Sequence, residues 1–171
     1  IKNIKDKSIK VIKGGRERYQ SSQKALNFLK NKKIKNVFIH DAARPNFSIK
    51  LLKKLNANLK NNKAVVPFLK TDSSIKYKDG NILQNLNRDK LIFTQTPQCF
   101  DYKTIYKISK LNKNLVTDEA SLCLNYKKKI KFIKGEENNF KITTKSDLEK
   151  LNIKSFYGIG FDIHRLLKNK K

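Results

Sequence analysis

The chain has 171 residues, 38% of them hydrophobic, and carries 40 Lys and Arg against 14 Asp and Glu, a formal net charge of +26. That length supports one domain with a real core plus a small remainder, and no apolar run approaches the roughly 18–20 residues of a membrane span. No basic-then-apolar leader precedes the first strand candidate, and the two cysteines, Cys99 and Cys123, form neither a disulfide framework nor a metal-ligand spacing, so a reducing, cytoplasmic location is expected.

In chain order, residues 9–13 read as a short β candidate that breaks at Gly14-Gly15. From residue 17 to 30, Ala25, Leu26 and Leu29 recur at helical spacing. A strand over 34–39, a helix over about 49–59 and a strand 64–66 ending at Pro67 follow. Strand alternating with helix implies a parallel sheet with covering helices. Short alternating pieces over 71–95, around Lys78-Asp79-Gly80, read instead as a β-hairpin arm. A strand at 91–94, helices at 102–111 and 118–126, a strand at 130–133 and a helix at 146–151 complete the first domain, 1–151. Residues 152–155 read as a linker, and a new β-like run opens at 156.

The positive charge is mostly Lys, spread over nearly every segment among Asn and Ile, as an AT-rich coding sequence favours. It lacks the concentrated Arg and interleaved aromatics of a recognition stripe. No specific nucleic-acid partner is therefore expected. A basic nucleic-acid-binding domain remains the rival reading, and it would show tight binding with a steep salt dependence.

Several short constellations carry chemistry. His40-Asp41-Ala42-Ala43-Arg44-Pro45 places an acid, a base and a cation at the carboxyl end of a buried strand, where open α/β sheets bind ligands. The same residues also suit a strand-to-helix turn with Asp41 as a cap and Arg44 in solvent. Gly14-Gly15 lies between a strand and a helix, where backbone amides can face an anion or a base edge, or simply turn. Thr117 reads as the N-cap of a helix with acids in its first turn. Arg88 on the arm is by itself a solvated charge, and Lys141 sits at a strand edge with an N-cap Thr after it.

Together and in this order, Gly14-Gly15-x-x-Arg18 with Ser21, the His40–Pro45 run, Arg88, Thr96-Pro97-Gln98, Thr117-Asp118-Glu119-Ala120-Ser121 and Lys141-Ile142-Thr143 resemble the 2-C-methyl-D-erythritol 4-phosphate cytidylyltransferases, over about residues 9–151. The tail Gly158-Ile159-Gly160-Phe161-Asp162-Ile163-His164-Arg165 resembles the opening strand of 2-C-methyl-D-erythritol 2,4-cyclodiphosphate synthase, and fusions of the two occur in that order.

The resemblance implies an α/β fold: a Rossmann-like nucleotidyltransferase sheet with helices on both faces and a β-hairpin arm, then the first strand of a truncated second α/β module over 156–171. It implies transfer of a cytidylyl group from CTP to 2-C-methyl-D-erythritol 4-phosphate with Mg²⁺. Arg88 and Lys141 would position the substrate phosphate, and Asp41 would orient substrate hydroxyls or the Mg²⁺ region with Arg44 beside it. Gly14, Gly15 and Ser21 would read cytosine, and Ser74 would stand where the family arm carries Thr. The arm would swap across a homodimer, bringing Arg88 to the neighbouring site, and the complete cyclase would be a trimer. Asp162 and His164 match its Asp-x-His pair for a divalent cation such as Zn²⁺ or Mn²⁺. Ribitol phosphate cytidylyltransferases share much of the pattern, but have no use for the Asp162-x-His164 tail. With Ile1 first and no Met, the chain is expected to start inside a longer frame, after the family's first strand and its Gly-rich CTP-phosphate loop, and to show no turnover alone.

Overall fold

The computed structural model of the chain describes residues 8–112 and 114–152. The chain divides into two compact units, Ile1–Lys141 and Ile142–Lys171. In chain order the first unit contains α1 (Arg18–Phe28), β1 (Asn36–Ile39), α2 (Ile49–Leu59), β2 (Ala64–Leu69), β3 (Ile75–Asp79), β4 (Ile82–Leu86), β5 (Phe93–Thr94), β6 (Gln98–Asp101), α3 (Tyr102–Leu111), α4 (Glu119–Asn125) and β7 (Ile130–Lys134). The second unit contains α5 (Lys145–Asn152), whose Asp147 carboxylate collects the N–H and hydroxyl of both Thr143 and Thr144.

β2 organises the main sheet. β7 lies parallel along its whole length, from Ala64 opposite Ile130 to Phe68 opposite Lys134. β6 and β5 share the other edge end to end, both antiparallel, with Val65 opposite Cys99 and Phe68 opposite Thr94. β1 then pairs antiparallel with β6, Val37 facing Phe100. The sheet is therefore mixed, not parallel as strand–helix alternation implied. The cause is β6, a strand for which the sequence pattern gives no element between 94 and 102. β6 threads between β1 and β2 in the reverse sense, which needs no helical crossover.

Side chains on one strand alternate between the faces of the sheet. Ala64 and Phe100 pack with Leu26, Ile105, Ile108 and Leu122 from α1, α3 and α4. Their neighbours Val65 and Cys99 pack with Leu51, Leu55 and Leu59 of α2. Helices cover both faces, as expected. The one-turn spacing of Leu51, Leu55 and Leu59 gives α2 its buried stripe, and Ser48 caps it by accepting the Leu51 N–H at 3.0 Å.

Several boundaries differ from the sequence reading, α1 and β1 being trimmed to Arg18–Phe28 and Asn36–Ile39. Residues 9–13 form no strand, and Ile9 and Val11 are exposed. β2 runs through Pro67 to Leu69; its missing N–H falls where β6 gives way to β5, and the Pro67 carbonyl accepts the Gln95 N–H at 2.8 Å. The strand expected at 91–94 shrinks to Phe93–Thr94. β3 and β4 form the expected hairpin arm, a separate exposed ribbon turned at Gly80, whose φ of 52° suits a residue without a Cβ. Among the described residues no helix is long and apolar enough to cross a membrane.

Candidate active site

Three loops meet beyond the carboxyl ends of β1, β2 and β7: the turn after β1, the β5–β6 break and the segment leading to Lys141. The Asp41 N–H donates to Thr96 Oγ1 at 2.9 Å, and Thr96 Oγ1 lies 3.0 Å from His40 Nδ1. The Arg44 carbonyl can only accept, so the His40 Nε2–H donates to it at 2.9 Å, and Nδ1 of the neutral ring is left to accept the Thr96 O–H. With its ring edge-on to Phe47 at 4.5 Å, His40 braces the turn.

The Lys141 loop is tied from inside. Asn139 is fully buried; its Nδ2 donates to the Thr96 carbonyl at 2.8 Å, and its own carbonyl accepts from Gln95 Nε2 at 3.1 Å and Arg44 Nη1 at 2.8 Å. Arg44 is thus built into the site, and Asp41 caps no helix. Burial, only partly offset by the Asp41 charge, lowers the Arg44 pKa. Lys141 lies in this loop and not at a strand edge.

Cations converge on Asp41. Lys141 Nζ stands 3.1 Å from Oδ2 and Arg18 Nε 3.3 Å from Oδ1. Burial pushes the Asp41 carboxyl up, but the hydrogen bond from Lys141 and the charges of Arg18 and Lys141 outweigh it and hold the pKa below the ordinary value. Arg18 also gives Nη1 to both oxygens of buried Glu119, at 3.0 and 2.9 Å. Burial disfavours the Arg18 charge, yet Glu119 first and Asp41 second overcome that and raise its pKa.

These groups line a cavity of about 200 Å³ together with the hydroxyls of Thr94, Thr96 and Thr117 and the carboxylate of Asp118. Asp118 is the N-cap of α4, accepting the Ser121 N–H at 2.8 Å, and it also accepts from Gln98 Nε2 at 2.8 Å. The sequence reading gave that cap to Thr117, whose hydroxyl instead meets Ser121 Oγ at 3.1 Å and lines the cavity. The structure therefore brings Asp41, Arg44 and Lys141 together and adds Arg18, Thr96 and Thr117. Those three stood in the recognised motifs, but spacing alone gave them no common site. A larger cavity, about 710 Å³, lies at the opposite end of the strands among Lys35, Lys60, Lys63 and Lys129. It gathers surface lysines around Asp101 and has no comparable convergence.

The other expected residues lie elsewhere. Ser21 Oγ accepts the Gly15 N–H at 3.0 Å, and a Cβ on Gly14 would stand 2.8 Å from that oxygen. The Arg16 and Glu17 N–H groups both donate to Gln20 Oε1, at 2.9 and 3.1 Å. Gly14, Gly15 and Ser21 thus form a turn closed on α1, with the Gly15 amide already engaged. Arg88 and Ser74 belong to the arm, where Arg88 Nη1 donates to the Asp72 carbonyl, and neither lines the cavity of its own chain. Asp162 and His164 lie outside the described residues. Among the described residues no three His, Cys, Asp or Glu side chains cluster as a metal site. Asp41 borders open cavity space with Lys141 on one oxygen and Arg18 on the other, so Mg²⁺ would reach this region on substrate phosphates and not on Asp41 itself.

The family model described as 2-C-methyl-D-erythritol 4-phosphate cytidylyltransferase (IspD) matches residues 1–153. A bifunctional enzyme IspD/IspF of Pelagibacter ubique is 47% identical over 171 residues, covering 100% of this chain and 46% of that protein. The chain thus spans about half the length of that relative. A 2-C-methyl-D-erythritol 4-phosphate cytidylyltransferase of Caldicellulosiruptor bescii is 39% identical over 150 residues, covering 85% of this chain and 66% of that protein. The crystal structure of the Francisella tularensis enzyme of that name superposes with a TM-score of 0.80 at 33% identity, covering 88% of this chain and 73% of that one.

Proposed function

The chain belongs to the 2-C-methyl-D-erythritol 4-phosphate cytidylyltransferase (IspD) family, and from that premise we propose that the full-length protein transfers a cytidylyl group from CTP to 2-C-methyl-D-erythritol 4-phosphate. An oxygen of the substrate phosphate attacks the α-phosphorus of CTP in line. The new P–O bond forms as the bond to the bridging oxygen breaks, and pyrophosphate leaves. The nucleophile is already an anion, so the protein's work is positioning and charge neutralisation.

The observation that supports this reading most is the convergence of Arg18, Arg44 and Lys141 on one carboxylate, Asp41, in a cavity edged by threonine hydroxyls. Lys141 takes the substrate phosphate as a point charge. Asp41 would orient substrate hydroxyls or the region of Mg²⁺, an ion that supplies charge neutralisation on the triphosphate. Arg88 and Ser74 reach the phosphate of a neighbouring subunit's site through a dimer built on the arm, whose Ile82 and Leu83 are exposed. Gly14, Gly15 and Ser21 contact cytosine. The fused cyclase, its Asp162 and His164 metal pair for Zn²⁺ or Mn²⁺, its trimer and the cytoplasmic location belong to the same proposal.

The test is formation of the CDP-alcohol by the full-length protein with CTP, Mg²⁺ and 2-C-methyl-D-erythritol 4-phosphate. Lys141→Ala and Arg88→Ala should each lower kcat/KM by roughly 2–3 kcal/mol, the worth of a charge-assisted contact, with unchanged circular dichroism. No product, or wild-type kinetics in both variants, refutes the reading.

A further inference from the structure

We propose that Glu119 is a positioning residue: by gripping Arg18 through both carboxylate oxygens it holds the guanidinium against Asp41, so that Asp41 keeps a cationic partner when Lys141 moves to the substrate phosphate. This rests on the function proposed above.

The two cations on Asp41 are built differently. Lys141 is 46% exposed, and its ammonium reaches Asp41 Oδ2 from a flexible stem. A phosphate entering the cavity carries more charge than one carboxylate and competes for that ammonium. Arg18 cannot follow. Its Nη1 is committed to Glu119, whose side chain is 3% exposed, and its Nε faces Asp41 Oδ1. Turning Arg18 toward the phosphate would strand a buried carboxylate without its cation, a far larger penalty than freeing a surface pair. Glu119 is itself placed firmly, as the first residue of α4 beside the Asp118 cap, with the next N–H, that of Ala120, on Gln98 Oε1 at 3.1 Å.

A guanidinium suits this post because one planar fork can serve two carboxylates at once, which an ammonium on a single stem does not do with fixed geometry. The remaining charges around Asp41 do not replace it. Arg44 acts on Asp41 through its charge but spends Nη1 on the Asn139 carbonyl, and His40 faces Thr96 and the Arg44 carbonyl. With Lys141 drawn away, Arg18 is the cation still bonded to Asp41. Its hold keeps Asp41 ionised beside an incoming polyanion.

Glu119→Gln in the full-length protein tests this, with Asp41 titrated by carboxyl-carbon NMR without substrates and assigned through Asp41→Asn. Two opposite outcomes are available. If Glu119 anchors Arg18, its removal lets the guanidinium drift and the Asp41 pKa rises. If Glu119 merely competes for Arg18, its removal strengthens the Asp41 pair and the pKa falls. A rise is expected; an unchanged or lowered value overturns the proposal. In steady-state assays kcat should fall on the order of tenfold or more while KM for CTP changes less than about twofold; an unchanged kcat overturns it too. Should the buried substitution prevent folding, Arg18→Lys retains the charge without the fork and should also raise the Asp41 pKa, and no rise there counts against the proposal. The titration needs no turnover, so a protein that makes no CDP-alcohol refutes the function while the NMR result still decides the role of Glu119.

Discussion

Asp41 and Asp101 are two carboxylates held below their ordinary pKa at opposite ends of the strands, and together they make stability depend on acid. For Asp101, burial raises the pKa, but hydrogen bonds from the Thr104 hydroxyl and N–H and the charge of Lys63 lower it further. Each group has an ordinary value of 3.8 and a lower one in the folded protein, so the unfolded chain binds the proton first. Their stabilising contribution is complete above 3.8 and is lost as the pH falls through the folded values. The urea midpoint should therefore fall as the pH drops below 3.8, and Asp101→Asn should make that decline shallower. An identical acid slope in the variant would show that Asp101 contributes nothing to it. At this scale the sequence is informative about identity and silent about contact. Lys141 is recognisable from motif order, but its place beside Asp41 depends on Asn139, which looks like one more surface polar residue until its burial is known.

Among the elements, α2 and α3 are legible because their buried side chains fall on one stripe, Leu51, Leu55 and Leu59 in the first, Ile105 and Ile108 in the second. β6 is not legible in the same way. Its four residues, Gln98–Asp101, include two polar ones, and its burial comes from insertion between β1 and β2, a non-local fact with no local period. The α4 cap, which the sequence pattern assigns to Thr117, belongs to Asp118, whose carboxylate also serves Gln98. Caps of this kind carry measurable energy. Ser48 caps α2 and also gives its N–H and hydroxyl to Glu136, so Ser48→Ala should cost about 1–2 kcal/mol in chemical unfolding, with most of it restored by Ser48→Thr. A loss under a few tenths would mean that water replaces the cap fully.

For the molecule as a whole, the charge of +26 says less about function than its size suggests, since lysines line the large cavity away from Asp41 as readily as the site. More telling is where the two free thiols lie. Cys99 packs into the layer under α2, and Cys123 into the layer under α1 and α3; burial pushes both thiols up to about 12. Alkylating reagents attack the thiolate, so neither cysteine can react until its own layer opens. Each side of the sheet thus contains an internal clock. Maleimide added to native protein should label neither, and in rising urea the mass-resolved order of modification should tell which layer parts first; rapid native labelling of either thiol would show that its layer breathes freely.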